Sequence, residues 1–103
     1  MTMLNGLIRP AKLDSVLGTS FFGDSILATQ NQLEETLGIE HRKTPDGKCH
    51  CEWKLYINDL PCCVYDWKED YEPDQEIYWH VGARNQNESK KITKIINDML
   101  NAK

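Results

Sequence analysis

The groups in this chain with chemistry to offer are four thiols, an imidazole set among tyrosines, and a stretch with two glycines and two hydroxyls. The thiols come as Cys49-x-Cys51 and Cys62-Cys63, a spacing that invites a zinc site or two disulfides. Cys63 and His80 fall on the same face of the strands proposed below, which would allow a thiol nucleophile with an imidazole base. Asp66 and Lys68, two apart at a strand end, could pair with each other or with a turn. Gly18-Thr19-Ser20 with Gly23 can form a loop that turns successive backbone N–H groups toward an anion, and it gains meaning where Lys68 and Arg84 add positive charge.

These groups need a frame, and hydrophobic alternation supplies it. From Lys48 to Ile57 the residues Cys49, Cys51, Trp53, Leu55 and Ile57 share one side, and His50, Glu52, Lys54 and Tyr56 the other. With Asn58-Asp59 as a two-residue hairpin turn, Ile57 faces Leu60, Leu55 faces Cys62, and Cys51 faces Asp66. The two cysteine pairs then sit on the order of 13 Å apart along the ladder. Zinc draws its sulfurs to roughly 2.3 Å from one centre, so reduced, buried thiols are expected, with neither metal nor cofactor. The same alternation divides the next segments. Trp53, Leu55, Ile57, Cys62, Val64, Ile77, Trp79 and Val81 form a core face, while Tyr56, Cys63, Tyr65, Trp67, Tyr78 and His80 form an aromatic platform on the other.

Around these strands the pattern predicts a short helix from Pro10 through Leu17 and an edge strand over Ser25 to Ala28. Thr29 followed by Gln32 is a capping box for a helix that buries Leu33 and Leu37 and stops at Gly38. Thr44-Pro45-Asp46-Gly47 is a turn. Between Lys68 and Ile77 five acids surround Pro73 in a solvated connection, and Gln75 stands where a calcium loop counted from Asp70 needs glycine. A last helix over Glu88 to Leu100 carries Ile92, Ile95, Ile96, Met99 and Leu100 on one side. The expectation is one α+β domain over residues 1–103, with residues 1–17 as an N-terminal segment. It has a small antiparallel sheet of three to four strands and helices packed mainly on one face. The other face must be covered by a further helix, by another chain, including a second copy in a homo-oligomer, or by a ligand.

With 103 residues the chain affords one core but no cleft between domains. A net charge of −4 argues against broad nucleic-acid binding. No apolar run approaches the roughly 20 residues of a membrane helix, and the first residues lack the pattern of a signal peptide, so a soluble cytosolic protein without membrane contact is expected. Nothing beside Cys63 and His80 supplies an oxyanion hole or a third orienting group, so action without catalysis is expected, a Cys/His hydrolase being the enzymatic alternative.

The series Gly18-Thr19-Ser20 with Gly23, Glu52-Trp53, Tyr65-Asp66-Trp67-Lys68 and Trp79-His80-Val81-Gly82 resembles a group of small, functionally uncharacterised proteins of tailed bacteriophages, over roughly residues 18 to 100. The chain departs from that pattern at Phe22 and Asp24, where a polar residue and an aromatic are more typical, and at Ala83, where a second glycine often follows Gly82. The resemblance implies a phage accessory protein in the host bacterial cytoplasm that blunts host defence. One route is to sequester a small anionic, nucleotide-like ligand; the alternative is to inhibit a host defence protein through the aromatic face. The expected ligand-binding residues are Gly18, Thr19, Ser20, Gly23, Tyr65, Trp67, Lys68, Tyr78, His80 and Arg84.

Overall fold

The computed structural model describes residues 8–10, 19–39, 51–66 and 71–102. Along the chain the elements are β1 (Ile8–Pro10), β2 (Ser20–Ala28), α1 (Gln30–Leu37), β3 (Glu52–Ile57), β4 (Leu60–Tyr65), β5 (Ile77–Ala83) and α2 (Gln86–Asn101). The strands form one antiparallel sheet in the order β1-β3-β4-β5-β2. The architecture is α+β.

The β3-β4 hairpin follows from its turn. Asn58 and Asp59 both take positive φ, 52° and 65°, which is the turn whose twist matches that of the flanking strands and which Asn and Asp tolerate best. It sets Ile57 opposite Leu60, Leu55 opposite Cys62 and Trp53 opposite Val64. Beyond the last ladder pair, the Asp66 N–H donates to the Cys51 carbonyl at 3.3 Å, so these two residues also face each other. Cys51, Trp53, Leu55 and Ile57 are buried, and Glu52, Lys54 and Tyr56 between them are half-buried.

Local signals also place the helices. In α1 the Gln32 N–H donates to Thr29 Oγ1 at 3.0 Å while the Thr29 N–H donates to Gln32 Oε1 at 2.8 Å, and Gly38 ends the helix in the left-handed region at φ 68°. In α2 the N-cap is Asn85, whose Oδ1 accepts from the Glu88 N–H, so the helix begins at Gln86, two residues before the start expected at Glu88. Leu33 and Leu37 of α1 and Ile92 and Ile96 of α2 belong to the same buried cluster as Trp53, Leu55, Val64, Trp79 and Val81 of the sheet.

Three expectations change. The sheet has five strands rather than three or four. The edge strand expected over Ser25 to Ala28 begins at Ser20, because Phe21 pairs with Gly82 and Ser25 with His80. Phe22, Gly23 and Asp24 therefore lie opposite Val81 alone, a bulge that Gly23 permits at φ 97°. Gly, Ser and Asp read as strand breakers in sequence, but pairing with β5 overrides them. Pro10, expected to open a helix, ends β1 on the far edge of the sheet, where its missing N–H costs nothing. The rest of that helix, the turn at Thr44-Pro45-Asp46-Gly47 and the start of the acidic connection lie outside the described residues.

Candidate functional site

The centre of the second sheet face is Gly82. It is buried and faces Cys63 on β4 and Phe21 on β2, and a Cβ placed on it would lie 2.5 Å from Cys63 Sγ. The side of the strand that any other residue would fill is occupied by the thiol. With no side chain at 82, the Phe21 ring is free to lie over His80, two residues back on the same face of β5. The rings stack at 4.2 Å between centroids and 14° between planes. Tyr65, directly across from His80 on β4, meets it edge-on at 5.4 Å and 75°. The result is an array of three rings carried by three adjacent strands. It stays open on its outer side, since Phe21 is 43% exposed, with Tyr78 at 63% and Leu27 at 47% beside it.

The polar groups of this face are mostly committed. Thr19 Oγ1 lies 3.8 Å from Cys63 Sγ, and Lys54 pairs with Glu52 at 3.5 Å. Burial pushes the Cys63 thiol above its ordinary range, and the Thr19 hydroxyl and the Gly82 backbone only partly oppose this. A nucleophilic cysteine needs the opposite shift. Arg84 leaves the end of β5 and makes two 2.8 Å hydrogen bonds to Glu88. Those bonds hold the Glu88 carboxyl below its usual range. Asp24, on the bulge, accepts from the Ser89 hydroxyl at 2.7 Å and so ties β2 to the first turn of α2.

Of the residues expected to bind ligand, Tyr65, Tyr78 and His80 come together on one face as the alternation implies, and Thr19 lies at its margin, whereas Ser20, paired with Ala83, belongs to the other face. Gly23 sits on the exposed bulge and Arg84 beyond the end of β5. Gly18, Trp67 and Lys68 lie outside the described residues. The anion-cradling loop from Gly18 to Gly23 is corrected in its described part. From Ser20 onward the backbone is extended, and successive N–H groups of a strand point to opposite edges instead of converging on one anion. Sequence reasoning missed Phe21, which stacks on the imidazole. Its signal was an aromatic placed across from a glycine, legible only once the register of β2 on β5 is known. Asp66, taken as a partner for Lys68 or a turn, is fully buried and accepts from the Cys51 N–H at 3.1 Å.

Cys51, Cys62 and Cys63 form no disulfide, and the register sets Cys51 four positions along the ladder from Leu55, the partner of Cys62. Among the described residues, no group of three or more His, Cys, Asp or Glu side chains is placed to hold a metal ion, and no helix is long and apolar enough to cross a membrane.

The close approach at Gly82 has a measurable consequence. Gly82→Ala should destabilise the protein by about 1–3 kcal/mol, the usual cost of forcing a methyl into filled space. In the double variant Cys63→Ala/Gly82→Ala most of that loss should vanish, because the atom in the way is gone. Urea unfolding of the four proteins in the cycle measures the coupling, and strictly additive losses would mean that the thiol is not what excludes a side chain at 82.

Comparison with known proteins finds no matching family model, no matching curated protein and no matching solved structure. Fold and site geometry alone define the class, an α+β protein with an open aromatic cluster on its sheet.

Proposed function

We propose that the protein acts without catalysis, binding and holding a flat, anionic, nucleotide-like ligand against the second face of its sheet. The observation that carries this reading is the Phe21–His80 stack, flanked by Tyr65 and open on its outer side. With the helices mainly on the other face, a base can continue the stack, at about 1–3 kcal/mol per base. Phosphates would then be met by Lys68, three residues beyond Tyr65, and by the hydroxyl of Thr19. Arg84 joins only by leaving Glu88. The raised Cys63 thiol favours holding the ligand over cleaving it. The resemblance to tailed-phage proteins sets this activity in the host bacterial cytoplasm, where removing a nucleotide signal counters host defence. A second reading, inhibition of a host defence protein, is favoured by the exposed Phe22 and Leu27, which carry the apolar surface along edge strand β2 beyond what one base covers.

Calorimetry against cyclic and ADP-ribose-type nucleotides tests the proposal, with bound ligand recovered after denaturation. Phe21→Ala should weaken binding by about tenfold or more, and Phe21→Ala/His80→Ala should abolish it with the circular dichroism spectrum unchanged. Recovery of hydrolysed ligand would make the protein an enzyme. Absence of nucleotide binding, with a host protein held through Leu27 and Tyr78, would establish the second reading.

A further inference from the structure

The two edges of the sheet differ in kind. At one, β1 is three residues long, ends on Pro10 and carries Arg9, the short, proline-ended and charged sort of edge that refuses a further strand. At the other, β2 runs for nine residues without lysine, arginine or proline, and among the described strands it pairs with β5 alone. Its one guard is the bulge over Phe22, Gly23 and Asp24. Past the bulge, Ser25, Ile26, Leu27 and Ala28 pair in unbroken register with His80, Trp79, Tyr78 and Ile77, so the backbone on their outer side presents a straight row of donors and acceptors. Leu27 is exposed in this segment, with Tyr78 exposed beside it on β5.

The segment is its own complement. Copies of a strand related by a two-fold axis perpendicular to the sheet run antiparallel, and each residue faces one on the same side of the sheet. An axis at Ile26 sets Ile26 against its own copy and Asp24 against Ala28 on the buried side, and Ser25 against Leu27 on the open side. No like charges oppose each other, because Asp24 is the single charged residue of β2 and its carboxylate is tied to Ser89. With one receptive edge and one refusing edge, pairing closes at two copies instead of growing into a fibre.

We propose that the protein forms a two-fold dimer by pairing β2 with β2 of a second copy, joining two five-stranded sheets into one continuous sheet. Leu27 of each copy then lands beside Ser25 of the other, whose neighbour on β5 is His80, so each copy borders the other's aromatic array. The contact needs no ligand and covers apolar surface that one stacked base leaves open.

Sedimentation velocity of the full chain over a concentration series, with no nucleotide present, should show a species of twice the monomer mass that dissociates on dilution. Leu27→Lys installs the residue that natural edge strands use against pairing, and the two lysines would lie diagonally across the axis. It should weaken the dimer about tenfold or more with the circular dichroism spectrum unchanged. Cross-linking reads the register. Residues directly opposite in an antiparallel pair have Cα atoms roughly 4.5–5.5 Å apart, within disulfide reach. A mixture of Ser25→Cys and Leu27→Cys chains should therefore give an oxidised dimer well above the parent's background and above what either variant alone, or Arg9→Cys at the opposite edge, gives. The proposal is overturned if the chain stays monomeric at every concentration, which would leave β2 to a strand of another protein. It is equally overturned if Leu27→Lys dimerises as well as the parent, or if Arg9→Cys cross-links as readily as the mixture.

Discussion

Trp79→Ala should cost about 3–5 kcal/mol of folding stability, the upper range for loss of a buried aromatic. Trp79 is fully buried on β5 and meets Trp53 edge-on at 5.3 Å and Tyr71 edge-on at 5.5 Å. Its indole N–H donates to the Ala28 carbonyl at 2.9 Å. One side chain thus joins β5 to β3, to the segment before β5 and to the end of β2. A domain of this size has on the order of 5–15 kcal/mol in total, so the variant should be close to unfolding at ambient temperature. Trp79→Phe separates the contributions, since it keeps a ring in the core but leaves the Ala28 carbonyl without its donor. That variant should lose about 1–3 kcal/mol for the orphaned group, with a smaller cavity loss added. Urea midpoints of the three proteins measure both effects, and a loss below about 1.5 kcal/mol for Trp79→Ala would show that the core closes over the missing ring.

The parts of the fold legible in the sequence are those governed by contacts near in the chain. The β3-β4 register could be counted outward from Asn58-Asp59, and both faces of the hairpin came with it. The Thr29–Gln32 capping box and the Gly38 stop bounded α1 for the same reason. The N-terminal half of β2 was illegible because its pairing crosses some sixty residues to β5 and is bulged, so neither alternation nor propensity marks it. This one omission hid much of the candidate site. Tyr65 and His80 could be placed on a common face from their own strands, but the ring stacked on His80 arrives from β2. The position of Asp66 opposite Cys51 was legible from the hairpin count, whereas its use was not. Nothing in the local sequence tells a carboxyl that caps a buried N–H from one that pairs with a nearby lysine.

The consequence of that burial is the second large effect. Asp66→Ala should destabilise the protein by about 2–5 kcal/mol, because each buried polar group left without its partner costs about 1–3 kcal/mol. The carboxyl accepts from the Cys51 N–H, and the Tyr71 phenol interacts with both Asp66 and Cys51. Asp66→Asn retains an acceptor for Cys51 and should lose less than Asp66→Ala. Amide exchange at Cys51 distinguishes a local from a global effect: protection there should drop in the alanine variant and persist in the asparagine variant. Tyr71 gives the cluster a pH signature. Burial, followed by the neighbouring Cys51 and Asp66, pushes the phenol above its ordinary value of 10.0. Below that value both folded and unfolded states hold the proton, and the stabilisation is fully present. Above it the unfolded chain releases the proton while the folded state retains it, so stability falls with rising pH. Tyr71→Phe should flatten this alkaline decline relative to the parent protein. Equal slopes above pH 10 for the two would place the phenol in solvent instead of against Asp66. The segment leading into β5 would then be held by the Tyr71–Trp79 ring contact and by the Asn31 N–H bond to the Pro73 carbonyl.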